Sequence, residues 1–406
     1  MTAQPVSLHR TGTDAGWDAI VVGARVAGAS TALLLARAGL RVLVVDRARR
    51  GSDTLSTHAL MRRGVVHLQR WGLLDGVAAT GAPPVRRVTF HYGPEHFPVS
   101  LKPYAGVDAL YAPRRTVLDA LLVATAEAAG ARFRFGPSVV DVARNRTGRV
   151  VGVVLRDRNG SVSAEYARLV VGADGRDSLV AARVAAPTAA VGAYRGAYAY
   201  GYWPVSDLDG YHWYYGGRDG ARLSAGVIPT NDGLACVFVG ASPDVFAAAV
   251  RARGPAAGLH HLAARLDGEL GELVAAPAVG SVRSFRGMPA LLRRARGRGW
   301  ALVGDAGWWK DPLSTHGITD AFRDAEALAG AVVAGGASQL AAGDVLSGYE
   351  AQRDRWALAM HPIVDRLASH EWDLAEARRL LRALSSVMAD EVEAIQGVDP
   401  VFARTA

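Results

Sequence analysis

Gly304-Asp305-Ala306-Gly307-Trp308-Trp309-Lys310-Asp311-Pro312-Leu313-Ser314-Thr315-His316-Gly317-Ile318-Thr319-Asp320-Ala321 is the stretch that decides how this chain is read. Apolar Trp300 to Val303 precedes it as a strand, and a helix running from Ile318 to Val333 follows. Between them lie a Gly-rich turn, Pro312 and a second glycine, Gly317. Such a turn aims backbone N–H groups and the positive end of a helix dipole at one place, which suits an anionic ligand.

Two motifs far away in sequence fit the same ligand. Asp18 to Val22 reads as a short apolar strand, Gly28 to Ala38 as a helix closed by Gly39, and Arg41 to Val45 as a strand ended by Asp46. This is a βαβ unit. Its turn is Gly23-Ala24-Arg25-Val26-Ala27-Gly28. A dinucleotide turn wants Gly first for the bend, third for approach of pyrophosphate, and sixth for helix–strand packing. The third position is Arg25, which fits if its side chain points outward, where its charge favours pyrophosphate. Asp46 then sits where a carboxylate accepts from ribose hydroxyls, with Arg47 beside it to pack over adenine. Leu169-Val170-Val171-Gly172-Ala173-Asp174-Gly175-Arg176-Asp177-Ser178 is a second strand-to-turn element with a carboxylate at the strand end. Together the three motifs point to FAD.

Bulk properties agree with a soluble globular protein. A chain of 406 residues exceeds the usual single core, so two lobes are expected. No apolar run is long enough to span a bilayer; Ile20 to Val45 is interrupted by Arg25, Arg37 and Arg41. Met1 to Gly16 lacks a secretory signal and reads as a disordered leader. Cys236 is the only cysteine, in an apolar strand-like run, so disulfides and cysteine metal sites are excluded and a cytoplasmic location is the default. No metal site is expected. The net charge of +8 is carried by scattered arginines, with Lys102 and Lys310 the only lysines. The densest run, Arg293-Arg294-Ala295-Arg296-Gly297-Arg298, reads as a solvated loop, and no nucleic-acid motif accompanies it.

Further along, Arg114 to Ala129 reads as a helix, Arg132 to Phe135 as a strand, and Val139 to Arg144 with Val150 to Arg156 as a hairpin. From Val191 tyrosines and tryptophans crowd together between Tyr194 and Tyr215, followed by strands Leu223 to Val227 and Leu234 to Val239. The tail reads as helices Tyr349 to Met360, Ile363 to His370 and Leu374 to Ile395. The expected fold class is α/β plus β: a Rossmann-type FAD-binding domain, an inserted β-sheet substrate domain and C-terminal helices. The expected division is a leader at 1–17; an FAD-binding domain at 18–72, 110–185 and 281–345; a substrate domain at 73–109 and 186–280; and helices at 346–406.

On these motifs the chain resembles the group A FAD-dependent aromatic monooxygenases of the para-hydroxybenzoate hydroxylase fold, over roughly Asp18 to Tyr349. The resemblance implies that Gly23, Ala24, Arg25, Ala27, Gly28, Asp46 and Arg47 serve the ADP half of FAD. It places Asp174 near FAD and NAD(P)H. It implies that Gly304 and Asp305 hold the ribityl chain, that Pro312 faces the flavin, and that Gly317, Ile318 and Thr319 contact its pyrimidine through their backbone. Arg115 matches a helix-start arginine that contacts FAD. The family usually reads Gly-Asp-Ala-Ala-His where this chain has Gly307 and Trp308. Gly-Asp-Ala-Gly and Asp-Pro-Leu are also similar to geranylgeranyl-reductase-like FAD oxidoreductases.

The first of these families implies NADPH or NADH as electron donor, molecular oxygen as co-substrate, and hydroxylation of an aromatic or polyketide-like small molecule through a flavin C4a-hydroperoxide. Such hydroxylation wants a base, and His316 and His58 are the candidates. Tyr200, Tyr202, Trp213, Tyr215 and Trp308 are candidates for a dry, stacking substrate wall. The second family implies a reductase or dehydrogenase acting on a carbon–carbon double bond, without oxygen activation. A non-catalytic flavin protein serving a partner is a third class. Lys310 is weighed as a catalytic acid of the kind found in flavin halogenases, but its place matches no such lysine. A homodimer and the absence of stable membrane association complete the expectations.

Overall fold

The strands Trp17–Val22 and Val42–Asp46 carry continuous apolar runs at 19–22 and 42–45, as strands buried on both faces should. They sit in the middle of an eight-stranded sheet whose main path runs Arg296–Gly297, Trp300–Leu302, Val162–Gly172, Trp17–Val22, Val42–Asp46 and Arg132–Phe135. From Trp300–Leu302 to Arg132–Phe135 all neighbours are parallel. The hairpin Ser138–Arg144 and Val150–Arg156 joins antiparallel to the outer half of the long strand. The structure is a computed structural model that describes residues 16–336 and 344–395. The expected leader, apart from Gly16 and Trp17, lies outside the described residues.

Register brings the three motifs together. Val22 pairs with Gly172 and with Val45, and Leu302 pairs with Gly172. The ladder continues past the strand ends: Gly23 N–H donates to Val45 O, Ala173 N–H to Val22 O, and Val303 N–H to Gly172 O. Gly23, Ala173 and Gly304 therefore leave the sheet side by side at its carboxyl edge, where ligands bind in open α/β sheets. Helices Val26–Arg37, Arg115–Ala128 and Gly317–Gly335 cover this region and share one core with it.

The second sheet has seven strands, in the order Arg283–Phe285, Ala197–Pro204, Leu234–Ala241, Leu223–Pro229, Tyr211–Gly216, Arg87–Tyr92 and Glu95–Ser100. Strand alternation sorts its side chains. Tyr198, Tyr200, Tyr202, Tyr211, Trp213, Tyr215 and Phe238 join the core shared with the first sheet. Ala199, Trp203, Ala225, Val227, Val237 and Val239 pack instead with Phe246 and Leu259 of Pro243–Leu266. That helical layer adds to the β-sheet expected of this domain. Gly254, at φ +78°, and Pro255 interrupt it, and the same pair breaks the apolar period in the sequence.

Two expectations are corrected. Residues 349–368 form part of one helix, Ser347–Ala368, rather than two, with Pro362 inside it. Pro362 and Leu358 both face solvent, so the carbonyl that the proline leaves unbonded can be hydrated. The arginine run at 293–298 is not a solvated loop. It forms the short strands Leu291–Arg293 and Arg296–Gly297. Arg293 donates to Ala306 O and Arg176 O, and Arg296 pairs with Glu350. Among the described residues, no helix is long and apolar enough to cross a membrane.

Candidate functional site

The Gly23 turn is built for close approach. Gly23 has φ +104°, and a Cβ there would meet Ala173 O at 2.4 Å; a Cβ on Gly28 would lie 1.8 Å from Gly23 O. Asp46 holds the turn to the neighbouring strand end by accepting from Ala24 N at 2.7 Å and from Ala48 N at 2.7 Å. Each carboxylate oxygen keeps a second lone pair, so a ribose hydroxyl can still be accepted. Arg47 is exposed next to it. Ala24, Arg25, Asp46, Arg49, Asp119 and Val123 are among the residues lining a crevice beside the turn.

Arg25 does not point outward. Its guanidinium bonds Ser52 Oγ at 2.9 Å, the carbonyls of Ser52 and Asp53, and Asp119 at 3.1 Å. Asp119 also pairs with Arg115 at 3.0 Å. The departure at the third position of the turn is thus a tie between the turn, the loop after the second strand and the helix Arg115–Ala128. Asp174 likewise spends its carboxylate locally, accepting from Ser178 Oγ at 2.5 Å and from Val180 N at 3.1 Å. It shapes the turn that underlies Gly23.

At the third motif, Gly304 has φ +57° and abuts Ala27: a Cβ on it would sit 3.0 Å from the Ala27 methyl. Burial raises the Asp305 carboxyl above its ordinary range, against the pull of Lys310, Arg115 and Arg176. Gly317 lies opposite it, with its Cβ direction 3.9 Å from Asp305 Oδ1. Pro312 opens a short turn whose cap is Asp311, and Thr315, at φ +50°, reverses the chain into the helix Gly317–Gly335. Neither that helix nor Val26–Arg37 has a side-chain cap at its start. Two uncapped helix starts, with glycines that leave room for backbone approach, fit a bound dinucleotide. Gly23, Ala24, Gly28, Asp46, Asp305 and the N–H groups of Gly317, Ile318 and Thr319 are the groups that would hold FAD.

The two candidate histidines have different settings. His58 is buried, with φ +69°. Its Nε2 lies 2.6 Å from Tyr202 Oη, and the two rings stack at 5.7 Å. Burial, then Arg115, Arg114 and Arg283, pushes its pKa down to about 3. Burial also raises the Tyr202 phenol, so it stays protonated. Arg114 lies 4.5 Å over the Tyr202 ring, and Tyr200 meets Tyr202 edge-on. His316 is buried below the helix start, with Nδ1 3.1 Å from Asp320 and Nε2 3.2 Å from Glu391. Burial brings it down to about 3 against the opposing field of Glu391.

Trp213 packs against Tyr211 and Phe238, and Tyr215 against Tyr92 and Trp372. Trp308 is apart from this group. It is 1% exposed, pairs with Leu292 in a three-stranded sheet, and lies under the Lys310 ammonium at 4.0 Å. Lys310 is itself ion-paired to Asp320, and burial, aided by Arg323, lowers it to about 7. The residues that sequence reasoning missed are Asp311, which accepts from Tyr198 Oη and Gly196 N, and Glu391 with Arg63. The Asp-Pro pair signalled the first; nothing local signals the others. Among the described residues, no group of acidic, histidine or cysteine side chains is arranged to hold a metal.

Comparison with known proteins agrees with this geometry. A family profile described as an FAD binding domain matches residues 17–362. Menaquinone reductase of Mycolicibacterium smegmatis is 29% identical over 338 residues, covering 79% of this chain and 77% of that protein. Protein FixC of Salmonella typhi is 30% identical over 244 residues, which is 56% of this chain and 50% of FixC. Among solved structures, the flavin-dependent brominase Bmp2 superposes with a TM-score of 0.73 at 18% identity, covering 94% of this chain and 90% of that one. PqsL, a probable FAD-dependent monooxygenase from Pseudomonas aeruginosa, superposes with a TM-score of 0.70 at 22% identity, covering 92% and 99%. The mixed α/β fold is that of the FAD-binding monooxygenases, and the chain belongs to the FAD binding domain family as an FAD-dependent oxidoreductase.

Proposed function

We propose that this flavoprotein takes electrons from NADPH or NADH and reduces a carbon–carbon double bond in an apolar, unsaturated or ring-bearing small molecule. The observation that carries the reading is the His58–Tyr202 pair on the aromatic face of the seven-stranded sheet. FAD supplies hydride chemistry when bound. Reduction of a double bond also needs an acid for the second carbon. The Tyr202 phenol is the candidate donor on geometry: it stays protonated, and although burial weakens it as an acid, His58 Nε2 lies 2.6 Å away to exchange a proton with it. Phenol hydroxylation needs a base instead, and both candidate histidines are pushed down to about 3. The similarity to a protein named menaquinone reductase supports reductase chemistry.

Oxygenation of an aromatic or polyketide-like molecule is the second reading. It is favoured by the dryness of the same face, where Tyr198, Tyr200, Tyr202, Trp213 and Tyr215 are each at most 6% exposed. Oxygen chemistry at a flavin needs such exclusion of water. One experiment separates the two. The holoprotein is reduced without oxygen, then mixed rapidly with oxygenated buffer and a panel of phenols, or with unsaturated isoprenoids and quinones. Flavin reoxidation by an unsaturated acceptor, with direct return to the oxidised spectrum in oxygen, supports the reductase. A transient absorbance distinct from both flavin spectra, with hydroxylated product, overturns it in favour of oxygenation.

A further inference from the structure

We propose that Glu391, on the C-terminal helix Leu374–Glu393 beyond the family's FAD-binding segment, is a positioning residue. Paired with Arg323 and Arg63, it sets the electrostatic potential at the helix start that faces the flavin. The proposal rests on the assignment of Gly317 to Thr319 to the flavin, and not on which substrate is reduced or oxygenated.

Glu391 is fully buried, which is rare for a carboxylate unless it is paired. One oxygen lies 3.0 Å from Arg323 and 3.8 Å from Arg63. The other lies 3.2 Å from His316 Nε2. Its backbone carbonyl also accepts from the Arg63 guanidinium. Burial opposes its ionisation, but the charges around it, those of Arg323 and Arg63 among them, outweigh this and hold the carboxyl below its ordinary range. His316 is hydrogen-bonded at Nδ1 to Asp320, and Glu391 from a distant helix stands 3.2 Å from its Nε2 without a hydrogen bond. Asp320 in turn pairs with Lys310 and Arg323, and Asp324 with Arg323. Asp324 also accepts from Gly304 N at 3.0 Å, which links the same cluster to the turn before Asp305. A carboxylate placed here adds negative charge behind the helix start. Reduction of a bound flavin adds negative charge in front of it. Inside a protein the two interact strongly.

The test is the midpoint potential of the bound flavin in the full-length holoprotein. Glu391→Gln keeps the shape and removes the charge, so the potential should move positive. Arg63→Gln should move it negative, and the double variant should return close to the parent value. Glu391→Asp should restore the parent potential in part. Potentials unchanged in both single variants, with only thermal stability lowered, would reduce Glu391 to an anchor and overturn the proposal. Should Glu391→Gln not fold, Arg63→Gln alone decides through the sign of its shift. Absence of flavin from the parent protein would instead sink the cofactor site itself, a different outcome.

Discussion

Gly23 and Ala173 meet so closely that a single methyl on the glycine would fall 2.4 Å from the alanine carbonyl oxygen. Gly23→Ala should therefore fail for two reasons. The φ of +104° costs an L-residue roughly 1–2 kcal/mol, and the contact forces the two turns apart. The purified variant should lose most of its flavin absorbance. Full flavin content would show that the turn tolerates separation and that the cradle is not set by this contact.

Asp305→Ala should sharply reduce bound FAD while the protein remains folded. The carboxyl lies next to Gly317 and between the fields of Lys310 and Arg115, so its loss removes the ribityl partner without opening the core. Flavin-to-protein ratio after gel filtration measures this. Unchanged occupancy would remove Asp305 from the cofactor site.

Tyr202→Phe tests the acid. Removal of a positioned proton donor typically slows turnover by about 10²- to 10⁴-fold. Flavin content and the rate of flavin reduction by NADPH or NADH should stay at the parent level. A parent-like rate of substrate reduction in the variant would dismiss the phenol as the donor.

Acid should destabilise the protein in a specific window. His58 and His316 each have an unfolded pKa near 6.5 and a folded value of about 3. The unfolded chain binds more protons between those values, so stability is present above pH 6.5 and is lost as pH falls toward 3. Linkage gives about 2 kcal/mol per histidine between pH 7 and 5. Denaturant melts at the two pH values measure it. His58→Gln should remove one histidine's share of the difference; an unaltered pH dependence in that variant would place the titration elsewhere.

Much of the nucleotide cradle was legible because its signals are local. A strand, a Gly23–Gly28 turn and a carboxylate at Asp46 lie within one βαβ unit, and period and spacing suffice to place them. The tyrosines at 198, 200 and 202 alternate on one strand, so their shared face was also readable. What was not readable depends on contacts between distant segments. An outward side chain was the condition under which Arg25 fitted the turn, but Asp119 and Ser52, brought to it by the fold, hold it inward. Trp308 sits in a motif beside the flavin segment, yet pairing with Leu292 buries it under Lys310. Glu391 carries no local mark at all, since its partners Arg63, His316 and Arg323 come from other helices. The helical layer at 243–266 was hidden by Gly254 and Pro255, which interrupt both the helix and its apolar pattern.

The contact of Gly23 with Ala173, and of Ala27 with Gly304, also fixes an order of events during synthesis. The first βαβ unit leaves the ribosome early, but the wall behind its turn is made by a strand that emerges much later, and its third side later still. Until Trp300–Leu302 has slotted beside Val162–Gly172, the turn has no complete partner surface. Cofactor capture by a growing chain should thus be abrupt, arriving only after the strand Trp300–Leu302 has emerged.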